Sequence, residues 1–203
     1  MNYFISAIGT DSGKSLFSAI IVEALKADYW KPIQAGSPAD TSSVRNLVSN
    51  ATTTFHPEGC VLKTPASPHA AAQIENITLK ASDFSIPMSD RPIIIEGAGG
   101  LMVPINDKEY IADFPQLWKT PLILVANLYL GSINHTLLSI EYLKNKNIEV
   151  KGIVFNGEAN PASERIILQQ SGCKVLLRIP KLGKVDKAVV KELAEELLKN
   201  WNE

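Results

Sequence analysis

Short apolar runs alternate along this chain with longer segments of helical periodicity, and that alternation admits few architectures. Strands apolar on both sides have to lie in a sheet covered by helices on both faces, and the intervening helical crossovers make such strands parallel. Tyr3 to Ile8 reads as a buried strand of this kind. Pro92 to Ile95, Pro121 to Ala126 and Val150 to Phe155 read likewise, each bounded by Gly, Asn or Pro. Between them, Ser15 to Lys26 sets Phe17, Ile20, Ile21 and Leu25 at helical spacing. Helical patterns recur at Ile133 to Lys144 and Ala162 to Gln170, a short strand at Lys174 to Leu177, and a closing amphipathic helix at Val185 to Trp201. Thr41 to Asp90 has the least periodicity and predicts helices and loops at strand ends. The expected fold class is α/β: a single domain over residues 1–203 with a mostly parallel central sheet and helices on both faces.

Size and charge narrow the partners. A chain of 203 residues with 45% hydrophobic content suits one buried core. Lys and Arg number 20 against 21 Asp and Glu, so the chain lacks the basic field that nucleic-acid binding requires. Its apolar runs fall short of the ~20 residues of a membrane span, and Met1 to Ile8 carries neither a basic leader nor a cleavage site. Cys60 and Cys173 lie far apart, outside any metal-binding spacing, which suits a reducing cytoplasm. Small-molecule partners are expected.

The chemistry starts where the first strand runs into the first helix, at Gly9-Thr10-Asp11-Ser12-Gly13-Lys14-Ser15. Gly13 lets backbone N–H groups approach phosphate oxygens, Lys14 brings a mobile positive charge, and the Ser15 hydroxyl can ligate Mg²⁺. The pattern is imperfect, because the first glycine of G-x-x-x-x-G-K-[ST] would stand at position 8, which is Ile8. A second strand, Ile93-Ile94-Ile95, ends in Glu96 and then Gly97-Ala98-Gly99-Gly100. In a parallel sheet, ligands gather at the carboxyl ends of strands, so Glu96 should face the phosphate loop and serve as a magnesium ligand. Lys31 ends a third strand before Pro32 and can aim at an anion, although taken alone a lysine there is more often solvated.

The set Gly13-Lys14-Ser15, Lys31-Pro32-Ile33-Gln34-Ala35-Gly36, Ser67-Pro68-His69, Glu96-Gly97-Ala98-Gly99-Gly100 and Gly131-Ser132-Ile133-Asn134-His135 resembles dethiobiotin synthetase in order and spacing over nearly the whole chain. The resemblance implies a P-loop NTPase-like fold. It also implies an ATP-dependent reaction in which CO₂ and 7,8-diaminopelargonate form a carbamate, ATP phosphorylates it, and the second amine closes the ureido ring. Lys31 matches the family's carbamate-stabilising lysine and acts with Lys14 and Thr10 as the catalytic set. Ser15, Asp40 and Glu96 match its magnesium ligands.

On the same resemblance, ATP meets Asp11, Ser12, Gly13, Lys14, Ser15 and Leu16, then Asp40 and Glu96 to Gly99. Its adenine is read by Asn156 with Ile179 and Pro180, although Asn156 read alone could equally be a strand-end turn former. Substrate contacts fall on Thr10, Lys31 and Ala35, with Ala35 replacing a hydroxyl residue common in the family. Ser132 and Asn134 would meet the substrate carboxylate across a homodimer interface. His69 and His135 read as structural residues, and Trp30 and Trp118 as core or interface aromatics.

One alternative is a ParA/MinD-like ATPase switch, but that group carries an additional lysine near the start of the phosphate loop, where position 9 is glycine. Another is an amide-forming ligase of cobalamin metabolism, which normally carries an appended glutaminase domain.

Overall fold

β1 (Tyr3–Ala7) is buried along its whole length, as its composition demands, and runs directly into the loop that opens α1 (Lys14–Leu25). The computed structural model describes residues 1–201. After α1 the chain forms β2 (Asp28–Trp30), β3 (Ile33–Ala35), α2 (Asp40–Leu47), β4 (Cys60–Leu62) and α3 (Pro68–Ile74), then a single 3₁₀ turn at Ala81–Asp83. Next come β5 (Ile93–Gly100), α4 (Asp113–Trp118), β6 (Leu122–Asn127), α5 (Ser132–Asn145), β7 (Val150–Asn156), α6 (Pro161–Ser171), β8 (Val175–Ile179) and α7 (Lys187–Trp201).

Six strands form one parallel sheet in the order β2-β5-β1-β6-β7-β8. The period-2 alternation of strand side chains divides the core between its two faces. Phe4, Ile93, Ile95, Leu122, Leu124 and Phe155 pack on one side with Ile140 and Leu143 of α5 and Ile167 of α6. Tyr3, Ile5, Ile94, Ile123, Val125 and Val154 pack on the other with Phe17, Ile20 and Ile21 of α1 and Leu193 and Leu197 of α7. In α7 the buried positions Val190, Leu193, Ala194, Leu197 and Trp201 recur every three or four residues, so one stripe seals this face. Each large side chain in it contributes about 1.5–3 kcal/mol of burial, and a charge at Leu197 would break the seal.

The sheet departs from expectation in three ways. β5 does not stop at the carboxylate but continues through Glu96 to Gly100, pairing Ile5 with Glu96 and Ala7 with Gly100. The aperiodic stretch contains helices, but also β4, which pairs with β3 as a small second parallel sheet. Strands of three residues are too short to show a period. Finally, α4 was not anticipated. It ends at Trp118, which stacks on Phe114 at 4.9 Å and lies 5.6 Å from Trp30, closing the core at that edge. Among the described residues no helix is long and apolar enough to cross a membrane.

Candidate active site

Strand order reverses at β1, whose sheet neighbours β5 and β6 lie on opposite sides, and a crevice opens at the carboxyl ends of strands where order reverses. The loop from Ile8 to Gly13 fills that position. Ile8 remains tied to the sheet, its N–H donating to Val125 O at 3.1 Å, so the loop proper begins at Gly9. That accounts for the misplaced first glycine: Gly9 O accepts from Ser12 Oγ at 3.1 Å and from Lys14 Nζ at 3.3 Å, folding the loop on itself. Gly13 sits at φ 94°, a left-handed conformation, and a Cβ there would fall 2.3 Å from Asn156 Nδ2. Glycine is required twice over. α1 starts at Lys14 with no side-chain cap and no acidic residue in its first turn, leaving its amino-terminal N–H groups for an anion.

Period-2 alternation brings the other groups together. Tyr29 and Lys31 share one face at the end of β2, Ile94 and Glu96 share that face on β5, and α1 lies over it. Ser15 Oγ donates to Glu96 Oε1 at 2.8 Å and to Asp40 Oδ1 at 3.2 Å. Lys31 Nζ lies 2.6 Å from Asp40 Oδ2 and 3.4 Å from Glu96 Oε1, and donates to Gly97 O at 3.5 Å. Asp40, anchored in the sequence only by resemblance, thus stands beside Ser15 at the start of α2.

Glu96 is fully buried and Lys31 is 2% exposed, yet both are satisfied. Burial pushes Lys31 down, but the carboxylates of Glu96 and Asp40 outweigh it and hold the amine above its usual value, as ammonium. Lys14 is less well compensated, so burial leaves it below its usual value despite Glu96.

Two residues that sequence reasoning passed over complete the cluster. Tyr29 donates its hydroxyl to Glu96 Oε2 at 3.0 Å, and burial together with the Glu96 charge raises that phenol, keeping it protonated. Gln34 accepts from the Asp40 N–H at 3.0 Å and donates to Ala35 O and Gly36 O, bracing the turn that carries Asp40.

Ser15 Oγ, Asp40 Oδ1 and Glu96 Oε1 form an all-oxygen donor set, the kind a hard divalent cation takes. Among the described residues no group of three or more His, Cys, Asp or Glu could hold a metal. A cation here would therefore also need phosphate oxygens or water, as Mg²⁺ commonly does.

The cluster opens into a cavity of about 610 Å³ bounded by Thr10 to Leu16, Lys31, Ala35, Asp40, Glu96, Ala98 and Gly99. A second cavity of about 450 Å³ adjoins it, sharing Thr10, Ser67 and Val103, and is walled mainly by Leu101, Met102, Pro104, Leu138 and Tyr142. His69 and His135 also line it. His69 Nδ1 is 3.0 Å from Ser67 Oγ, and His135 is hydrogen-bonded to Tyr129. Ile179 and Pro180 line a separate cavity of about 260 Å³ with Phe155 and Leu128.

Asn156 bridges that region to the phosphate loop, donating Nδ2 to Ser12 O at 2.9 Å, so half of its amide is engaged by the loop. Ser132 and Asn134 line neither of the two adjoining cavities: Ser132 is buried with its hydroxyl unpartnered, and Asn134 is exposed.

A family model described as an AAA domain matches residues 1–189. The chain is 50% identical over 203 residues to the ATP-dependent dethiobiotin synthetase BioD of Cytophaga hutchinsonii, covering 99% of this chain and 98% of that one. It is 51% identical over 201 residues to the protein of the same name from Christiangramia forsetii, covering 98% and 96%. Among solved structures it resembles the septum site-determining protein MinD of Pyrococcus horikoshii, with a TM-score of 0.61 at 15% identity over 97% of this chain and 96% of that one. A ParA family ATPase from Chlorobium tepidum gives 0.52 at 16% identity, over 98% and 90%. At those identities the likeness is one of fold.

Proposed function

Since this chain belongs to the dethiobiotin synthetase family, and is thereby an ATP-dependent ligase of biotin biosynthesis, we propose that it carboxylates 7,8-diaminopelargonate with CO₂ and closes the ureido ring through a carbamate and a carbamic-phosphoric anhydride. The observation that carries this reading is the buried Lys31 ammonium beside Asp40 and Glu96, at the mouth of a phosphate loop. A carbamate and a γ-phosphate are both anions, and their approach needs fixed positive charge at the point of contact. Lys31 stabilises the carbamate oxygen, Lys14 the transferred phosphoryl group, and Thr10 lies at the boundary of the two adjoining cavities, beside the amines.

Ser15, Asp40 and Glu96 would hold Mg²⁺, which would supply charge neutralisation for the phosphoryl transfer. The apolar second cavity suits the alkyl chain of the substrate. ATP lies along Asp11 to Leu16 and Glu96 to Gly99, with its base by Asn156, Ile179 and Pro180. Residues 1–203 form one catalytic domain, a reading supported by the span of the family model. The protein acts as a cytoplasmic homodimer in which the start of α5 reaches the substrate carboxylate of the partner's site through the exposed Asn134 and backbone N–H groups, Ser132 shaping that turn rather than offering its buried hydroxyl. The exposed Leu130, Leu138 and Met102 support this reading.

The route predicts a specific fate for one oxygen. The carbamate oxygen attacks the γ-phosphorus and ADP leaves; the second amine then attacks the carbonyl carbon, and phosphate departs with that oxygen. A short reaction with ¹⁸O-bicarbonate should yield phosphate carrying one ¹⁸O. Unlabelled phosphate formed alongside dethiobiotin would rule the anhydride out.

A further inference from the structure

We propose that Tyr29 is a positioning residue of the cation site, its phenol holding Glu96 so that Oε1 is the oxygen presented to Ser15 and the nucleotide. This rests on the reading of Ser15, Asp40 and Glu96 as cation ligands. Glu96 has two carboxylate oxygens in a fully buried setting, and the structure divides them. Oε1 takes Ser15 Oγ at 2.8 Å and faces Lys31 at 3.4 Å, while Oε2, among the described residues, takes only the Tyr29 hydroxyl, at 3.0 Å. Without that hydroxyl, the second oxygen would be buried unpaired and the carboxylate would have reason to rotate.

Tyr29 itself cannot drift. Its ring is fully buried within the α1 face of the core, packed 5.9 Å from Phe55, and its backbone is held on both sides by pairing with Ile94 and with the Thr54–His56 segment. The phenol is therefore a fixed donor on a rigid strand, which is how an outer residue orients a ligating carboxylate. It lies 67 positions from Glu96 in sequence and lines neither of the two adjoining cavities, so it acts only through Glu96.

The test measures Mn²⁺ affinity in the presence of saturating ADP, by electron paramagnetic resonance, for wild type, Tyr29→Phe, Glu96→Gln and the double variant. Phenylalanine keeps the ring and its packing, so ADP affinity in EDTA should stay close to wild type and the protein should still fold, its melting temperature falling only by the few degrees that an unpaired carboxylate oxygen costs. Tyr29→Phe is expected to weaken Mn²⁺ by about tenfold, and Glu96→Gln by about tenfold or more. The double variant should be no weaker than Glu96→Gln alone, because the phenol works through that carboxylate. Wild-type Mn²⁺ affinity in Tyr29→Phe, with Glu96→Gln weakened, overturns the positioning role and leaves the cation reading standing. Additive losses in the double variant overturn it as well. Wild-type affinity in Glu96→Gln overturns the cation reading itself.

Discussion

The Lys31 ammonium and an Asp40 carboxylate oxygen stand 2.6 Å apart, with the lysine 2% exposed. A buried charge of this kind persists only if its partners are held in place, and here they are: Asp40 by Gln34, Glu96 by Tyr29 and Ser15. Positive charge is thus preorganised beside the phosphate loop before any anion arrives, which is the condition for strong electrostatic stabilisation.

Lys31→Met should therefore lower the rate of dethiobiotin formation by at least about a hundredfold while changing ADP affinity far less, since on the proposed route the lysine meets the carbamate rather than the nucleotide. Steady-state rates and calorimetric titration with ADP separate the two. Equal losses in both would mean that Lys31 serves nucleotide binding.

Gly13→Ala should weaken nucleotide binding by about tenfold or more, because the position combines positive φ with a Cβ overlap against Asn156. Adding Asn156→Ala removes the overlap but not the backbone strain, so the double variant should recover only part of the loss. Full recovery would show that sterics alone demand glycine.

Glu23 makes acid stability measurable. Burial pushes this carboxyl up, but hydrogen bonds from Lys26, from the Asn50 and Ser49 N–H groups and from the Asn50 amide outweigh it and hold it at about 2, against an ordinary value of 4.5. A carboxyl lowered on folding contributes stability that is full above pH 4.5 and is lost as pH falls toward 2. The contribution is on the order of 3 kcal/mol at neutral pH. Glu23→Gln should lower the urea midpoint at pH 7 and flatten its pH dependence between 4.5 and 2. An unchanged slope would contradict the assignment.

His69→Ala should reduce turnover by less than about tenfold, below the usual range for a general acid or base. The ring lies at the start of α3, paired with Ser67 and walling the apolar cavity, while on the proposed route the substrate amines and phosphate supply the proton acceptors. A loss matching that of Lys31→Met would make His69 part of the chemistry.

What was legible in the sequence and what was not divides along physical lines. Lys14, Ser15 and Glu96 could be found because each stands in a local pattern, a glycine loop or an apolar strand end, that itself dictates geometry. The long buried strands and amphipathic helices were legible for the same reason, to within about two residues of their ends, except that β5 runs on through its glycines to Gly100, where small residues carry no apolar period. Tyr29 and Gln34 were not, because a tyrosine in a strand and a glutamine after Lys-Pro-Ile carry no local sign of the carboxylate or turn they brace. β3 and β4 were missed because three residues cannot display a period. The role of Asn156 as a tie to the phosphate loop depends on a contact 144 residues away in sequence.

The most direct test of the account mixes purified protein with ATP, Mg²⁺, bicarbonate and 7,8-diaminopelargonate and follows dethiobiotin by mass spectrometry alongside ADP. The account predicts dethiobiotin and ADP in equal amounts, with little ADP when the diamine is withheld. ATP hydrolysis that ignores the diamine, with no dethiobiotin, would contradict it and point to a switch ATPase on the same fold.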